Sequence, residues 1–430
     1  MKWQAIRRQL PFILLAAAVI FGARLFFRSG NFGSLETDTS RAVIPTSGLM
    51  SGGPPPQGIP ALGFEGAFNG SVAASPAPQF VRVPEAASWL GALEPVIAVA
   101  VAGEVRAYPL QILMWHEIAN DAVGGVPLAV TFCPLCNSAF AFDRRIPLTR
   151  EQREVVGEKN PQAHFVPLDD DFLAAYREQE GAETAGGLVT GLLVTFGTSG
   201  MLYNSNLVMV DSQTSTLWPQ VLAGGGVGTL AGVKLLRHPA QIISFTAFRE
   251  AYPEGLVLSR RTGFNRQYGR NPYSGYDRVD SAPFLFRGRS DNRLLPKLRV
   301  VTFELNGEAV AYPFDVLERL RVVNDEVGGV PVVVMWQPGT NSALDSGAIA
   351  GGRDVGAVGM FRRRLGGRLL RFAWDGASFV DEQTAGRWDL LGRALAGELA
   401  GARLEPVVHD NTLWFAWAAF KPETRVFRSE

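Results

Sequence analysis

The chain repeats itself. Gly103-Glu-Val-Arg-Ala-Tyr-Pro109 returns as Gly307-Glu-Ala-Val-Ala-Tyr-Pro313, and Asn120-Asp-Ala-Val-Gly-Gly-Val-Pro127 returns as Asn324-Asp-Glu-Val-Gly-Gly-Val-Pro331, both 204 residues later without a gap. About half of the positions from Gly103 to Ala139 are identical in the later copy. A second block follows in the same order. Val210-Asp-Ser-Gln-Thr-Ser-Thr-Leu-Trp218 returns as Val380-Asp-Glu-Gln-Thr-Ala-Gly-Arg-Trp388, and Leu230-Ala-Gly-Val-Lys-Leu235 as Leu399-Ala-Gly-Ala-Arg-Leu404. Two ordered blocks predict two tandem homologous modules, 96–258 and 298–427, and restrict the fold to a unit that can be built twice.

The unit reads as mainly β with short helices, an α+β class. Val96–Val101 and Glu104–Tyr108 flank Ala102-Gly103 and predict a hairpin, because a glycine between two apolar runs supplies the positive φ of a tight turn. Pro109, which has no N–H to donate, opens a helix predicted to run to about Ile118. Asn120-Asp121 and Gly124-Gly125 read as turns, Val126–Phe132 as a strand ending at Cys133, and Asn137–Phe142 and Leu192–Phe196 as further strands. Gly 47 and Pro 27 among 430 residues agree with many turns and short strands.

Charge excludes some functions. Charged residues are 19% of the chain, and 41 basic groups balance 41 acidic ones, which speaks against an electrostatic nucleic-acid binder and against a disordered chain. The N-terminus has a different character. Lys2, Arg7 and Arg8 precede a run without charge from Leu10 to Ala23, with Arg24 and Arg28 after it and no acidic residue before Glu36. Residues 1–28 therefore predict a signal anchor or signal peptide, with the body facing the periplasm or cell exterior and the anchor as the contact with the membrane. Residues 29–95 are rich in Gly, Pro, Ser and Ala and predict a tether and lead-in. The charged stretch 144–187 has no counterpart in the second module and predicts a solvated, partly helical excursion whose His164 is exposed. Residues 259–297, rich in Arg and Tyr, connect the modules and predict a strap that packs its tyrosines.

Differences between two copies of one fold locate what only one copy does. The first has Trp115-His116-Glu117 where the second has Arg319-Leu320-Arg321, and Cys133-Pro-Leu-Cys136 where the second has Gln337-Pro-Gly-Thr340. The chain has only two cysteines, and both lie in this cluster. Three chemistries fit. Cys133, Cys136 and His116 form a soft ligand set for copper or zinc, with Glu117, Asp121 and Trp115 around it and Met114 as an added thioether. Alternatively, the Cys-x-x-Cys pair cycles between dithiol and disulfide, with Cys133 and Cys136 as the catalytic residues and a redox protein as the partner. The third possibility is a structural disulfide in a non-catalytic interaction platform.

His238 could complete a metal set, although a turn histidine is the simpler account; Asp211, Gln213 and Trp218 recur in both modules and read as scaffold. Asn204 and Ser205 read as turn residues, and His409 is assigned no role. No serine nucleophile elbow, phosphate loop, zincin helix or dinucleotide fingerprint occurs in the sequence.

With these motifs in view, the sequence resembles the bacterial and archaeal domain of unknown function 3179 family. The resemblance rests on Gly103 to Pro109, Trp115-His-Glu-Ile118, Asn120 to Pro127, Phe132-Cys-Pro-Leu-Cys136, Phe196-Gly-Thr-Ser-Gly200, Leu202-Tyr-Asn-Ser-Asn-Leu207 and Asp211 to Trp218. It implies an extracytoplasmic or membrane-associated protein without an established activity. The insertion at 144–187 departs from the family pattern.

Overall fold

The structure, a computed structural model, describes residues 35–68 and 71–429. The anchor expected at 1–28 lies outside the described residues. Among those described, no helix is long and apolar enough to cross a membrane. The fold is mainly β with short helices.

Each half is built on the same hairpin. Pro95–Val101 pairs with Glu104–Pro109, Val96 opposite Pro109; Arg299–Leu305 pairs with Glu308–Pro313, Val300 opposite Pro313. The turns use the same backbone, with Ala102 and Gly103 at φ 47° and 82° and Asn306 and Gly307 at 49° and 81°. Each hairpin takes a later strand on either side. In the first half these are Ala240–Ser244, antiparallel, and Leu256–Leu258, parallel; in the second they are His409–Leu413 and Arg425–Val426. Phe80–Arg82 adds a fifth strand to the first sheet.

A second sheet follows in each half: Ile118–Val123, Val126–Cys133 and Ser138–Asp143, then Val322–Val327, Val330–Gln337 and Ala357–Arg362. The first glycine of each pair joining its first two strands is required by packing. A Cβ on Gly124 would lie 2.4 Å from the Val101 carbonyl oxygen, and one on Gly328 would lie 2.3 Å from that of Leu305. Both also have positive φ, which side chains disfavour.

Three local expectations change. The helix after Pro109 spans Leu110–His116 and stops short of Ile118, because Glu117 takes φ +56° and turns the chain into the next strand. Asn120 and Asp121 lie within the strand Ile118–Val123 instead of in a turn. Tertiary partners satisfy their side chains: the Asn120 carboxamide bonds Leu62 O and both backbone groups of Phe196, while Asp121 accepts from Arg106 and from the Tyr108 hydroxyl. The strand expected at Leu192–Phe196 divides into Leu188–Leu193 and Phe196–Tyr203.

The lead-in is folded from Leu35 onward, which corrects its reading as a tether. Ala61, Leu62 and Phe64 are fully buried, so this segment supplies core despite its composition. The charged insertion contains helices Arg150–Lys159 and Asp170–Glu180, capped by Thr149 and Asp169, and it buries Val156, Phe172 and Tyr176. Its His164 is exposed.

The repeated Asp-x-Gln-Thr-x-x-x-Trp segment forms the same box twice. Asp211, 1% exposed, accepts from the backbone N–H groups of Gln213, Thr214 and Thr216, from the Thr214 hydroxyl and from the Trp218 indole at 2.9 Å. Asp381 accepts from Thr384, Gly386 and the Trp388 indole, again at 2.9 Å. Removing the carboxylate leaves several buried donors unpaired, at about 1–3 kcal/mol each before relaxation. Asp211→Ala should therefore lower stability by about 3 kcal/mol or more in denaturant unfolding, and Asp381→Ala should behave alike.

Candidate functional site

Cys133 closes the strand Val126–Cys133 and pairs with Ser138, so the intervening residues form the tight turn of a hairpin. The Cys136 N–H bonds the Cys133 carbonyl at 3.2 Å, and Asn137 at φ +53° completes the reversal. Both cysteines are free and buried.

A second hairpin tip covers them. Phe196–Tyr203 and Asn206–Asp211 are joined through Asn204 and Ser205, both at positive φ. The Ser205 carbonyl faces both sulfurs, 4.0 Å from Cys133 Sγ and 3.5 Å from Cys136 Sγ. Each sulfur also receives a donor: Leu207 N–H to Cys133 at 3.4 Å, and the Asn206 side-chain amide to Cys136 at 3.5 Å. The corresponding hairpin of the second half is shorter, ending at Trp374 opposite Phe379.

The surroundings are acidic. Burial pushes the Cys136 thiol well above its ordinary value; Cys133 and Asp410 push it further, and the Asn206 amide opposes them. Asp410 is itself buried and pushed up to about 8 by desolvation. Tyr273 and Tyr276 of the connector lie within electrostatic reach of the sulfurs, and burial raises both phenols. Lys297 packs on the Tyr276 ring at 3.5 Å and donates to the Tyr276 carbonyl.

The other residues expected here are placed differently. His116 is fully buried, its Nδ1 2.7 Å from Pro60 O and its Nε2 2.6 Å from the Tyr268 hydroxyl. The carbonyl can only accept, so the proton sits on Nδ1 and the Nε2 lone pair accepts from Tyr268. Desolvation pushes the imidazole down to about 4, so it is neutral at physiological pH. His116 thus engages both nitrogens away from the sulfurs. Among the described residues, no group of three or more His, Cys, Asp and Glu side chains converges as a metal-binding set.

Trp115 has a buried indole N–H without a partner. The Glu117 carboxyl accepts no hydrogen bond, and desolvation pushes it up to about 8; Tyr273 is within electrostatic reach of both Glu117 and Cys133. Asp121 is held by Arg106 at 2.5 Å and Tyr108 at 2.6 Å, separate from His116. Met114 is buried in the apolar core. His238 lies 3.4 Å from Asp143.

A family model described as Protein of unknown function (DUF3179) matches residues 56–424. The chain belongs to this family. The DUF3179 match begins in the folded lead-in and runs through both halves and the connector, so the second half is part of the unit and not an appendage. No curated protein and no solved structure matches the chain.

The sequence reading named Ser205 only as a turn residue and passed over Asn206 and Leu207, which reach the sulfurs from the hairpin tip, and Asp410 on the strand His409–Leu413, which acts on Cys136 electrostatically. The longer first-half hairpin was the available signal, since Tyr203-Asn-Ser-Asn-Leu207 has no equivalent between Trp374 and Phe379.

The placement of His116 has a pH signature. Its folded-state value near 4 lies below the ordinary 6.5, so the unfolded chain binds the extra proton between those values. Its contribution to stability is therefore present above pH 6.5 and is lost as pH falls towards 4. His116→Gln, which keeps a donor and an acceptor, should remove up to about 3 kcal/mol of that pH dependence when unfolding curves are compared from pH 7 to 4.

Proposed function

We propose that the first module binds a soft monovalent cation, copper(I), between the Cys133 and Cys136 sulfurs, in a body held outside the cytoplasm by residues 1–28. The observation that carries this is the character of the pocket around the thiols. The ionisable groups acting on Cys136 are acids, and each sulfur has one N–H donor aimed at it. A reactive thiol of an oxidoreductase needs neighbouring positive charge to favour its thiolate. Here burial, Cys133 and Asp410 all act in the opposite sense. A bound cation supplies the missing positive charge and replaces the two thiol protons.

The ligand count favours copper(I) over zinc. Structural zinc takes four ligands in a tetrahedron, whereas thiolate pairs select copper(I). With His116 engaged by Pro60 and Tyr268, two sulfurs are what this arrangement offers. A copper(I) bis-thiolate carries one net negative charge, and the Leu207 and Asn206 N–H groups are placed to stabilise it.

The matching registers of the two halves support a second part of this reading. They are two copies of one ancestral unit, and the second has kept the frame while losing the ligands. The basic-flanked, uncharged run at the N-terminus supports the tethered location.

Competition with a chromophoric copper(I) chelator under anaerobic, reducing conditions should give one copper(I) per chain. The Cys133→Ser/Cys136→Ser variant should bind none, and His116→Gln should keep the stoichiometry. Two S–H protons leave for each ion bound, so affinity should rise by about a hundredfold per pH unit below the thiol ionisation. Failure of the reduced wild type to compete, or equal binding by the double serine variant, would overturn the proposal.

A further inference from the structure

Behind Cys136 lies a buried set of polar side chains that belongs only to the first half. Thr131, Ser138, Asn206 and Gln220 are all fully buried. The Gln220 amide donates to Thr131 Oγ1 at 2.8 Å and to the Ser138 carbonyl at 3.4 Å. Its oxygen accepts from the Ser138 hydroxyl at 2.7 Å and from the Asn206 amide at 3.3 Å. Asn206 Oδ1 accepts from the Val221 N–H at 3.0 Å. Thr131 passes its own hydroxyl proton to Phe140 O at 3.2 Å.

This inventory closes in one direction only. Because Oδ1 of Asn206 is held by a backbone N–H, its amide nitrogen must face the other way. That nitrogen has two hydrogens, and Gln220 Oε1 and Cys136 Sγ are their acceptors. Gln220 is oriented in turn, since the Asn206 amide nitrogen can only donate to it and Thr131, having given its proton to Phe140, can only accept from it. The chain of constraints ends on a sulfur.

The second half shows that the fold does not need these groups. By strand register, Thr131 corresponds to Met335 and Ser138 to Ala357; the repeated tryptophans place Leu390 at the position of Gln220. All three are buried in an apolar cluster. Asn206 has no counterpart, because the second-half hairpin stops short. The polar set and the two thiols are therefore present together in one half and absent together from the other.

We infer that Gln220 is a positioning residue for the thiol pair, one that holds the Asn206 carboxamide, already turned by the Val221 N–H, so that its second N–H meets Cys136 Sγ, and thereby strengthens the copper(I) site. The second clause rests on the function proposed above; the first does not, because it can be read on the sulfur without metal.

The chain has only two S–H groups, so their infrared stretching bands can be assigned with Cys133→Ser and Cys136→Ser. In metal-free, reduced protein, Gln220→Leu should shift the Cys136 band and leave the Cys133 band in place. Thr131→Val removes the acceptor that orients Gln220, together with the hydroxyl's own bond to Phe140 O, and should give a smaller shift in the same direction. Asn206→Asp keeps the acceptor for Val221 and loses the donor; it should shift the same band, with no further change when Gln220→Leu is added.

In copper(I) competition, Gln220→Leu should keep one ion per chain with affinity lowered by about 10–100-fold, as for other groups that orient metal ligands. An unmoved Cys136 band in both Gln220→Leu and Thr131→Val would overturn the positioning role, even if either variant were less stable. Unchanged copper(I) affinity in Gln220→Leu would overturn the second clause alone. A band that shifts in the variants while the wild type binds no copper(I) would uphold the orientation of the thiol and overturn the metal half of the inference together with the proposed function.

Discussion

The thiol loop is held by a strand from the other half of the chain. Leu413 N–H donates to the Cys136 carbonyl at 2.8 Å, the Thr412 hydroxyl donates to the same oxygen at 3.1 Å, and Asp410 accepts from Ala139 N–H at 3.2 Å. The reverse contact also exists: Gln241, on the matching strand of the first half, donates to Val358 O in the second at 2.8 Å. By register Gln241 corresponds to Asp410, and Val358 to Ala139. Each half thus sets the antiparallel strand beside its own hairpin against the second sheet of the other. One core cluster joins Cys133 and Cys136 to Val300, Trp414 and Phe415, so the hydrophobic interior crosses the boundary with the strands.

The connector completes this enclosure. Asp277 is buried between Arg299 and Arg353 and bonds Ser342, which ties the strap to the second half. A few residues earlier, Tyr268 holds His116 of the first half, and Tyr276 packs into the cluster that contains the thiols. The tyrosine-rich segment therefore acts as an inter-module strap and as a wall of the site. Those two roles coincide because the thiol loop lies where the halves meet.

How much was legible in the sequence follows from the range of each signal. The hairpin turns at Ala102-Gly103 and Gly124-Gly125 are local, and glycine's conformational freedom marks them directly. Asn120 and Asp121 look like turn residues because their side chains can satisfy a nearby backbone. Here they satisfy Phe196, Arg106 and Tyr108, and no local pattern announces those partners. The cysteines were visible because one copy could be compared with the other, and the same comparison singled out His116. Comparison reports which residues differ and not where they point, so it could not separate the sulfurs from an imidazole bound to Pro60 and Tyr268. The lead-in misled through composition: its glycines and prolines describe a flexible chain, while Leu62 and Phe64 carry enough apolar surface to be buried.

The distribution of buried polarity is the strongest sign that the two halves do different things. On the strand beside the thiol loop, His409 Nε2, Asp410 Oδ2 and Asn411 Oδ1 are all buried without a hydrogen-bond partner among the described residues. The matching positions on the first-half strand are Ala240, Gln241 and Ile242. Each orphaned group costs about 1–3 kcal/mol, and the first-half strand shows that the same backbone packs without them. Packing alone therefore does not account for the polar run. A cavity of about 20 Å³, lined by Asn137, Asn411, Thr412 and Arg299, opens between the halves beside the thiol loop. That is room for about one water molecule, which would give the Asn411 carbonyl a donor. Together with the Thr131–Gln220–Asn206 set, polar groups approach Cys136 from both halves, while the second half has Met335, Ala357 and Leu390 of an apolar cluster at the corresponding positions. Around its two sulfurs the first half thus carries buried polar groups where the second half has apolar filling.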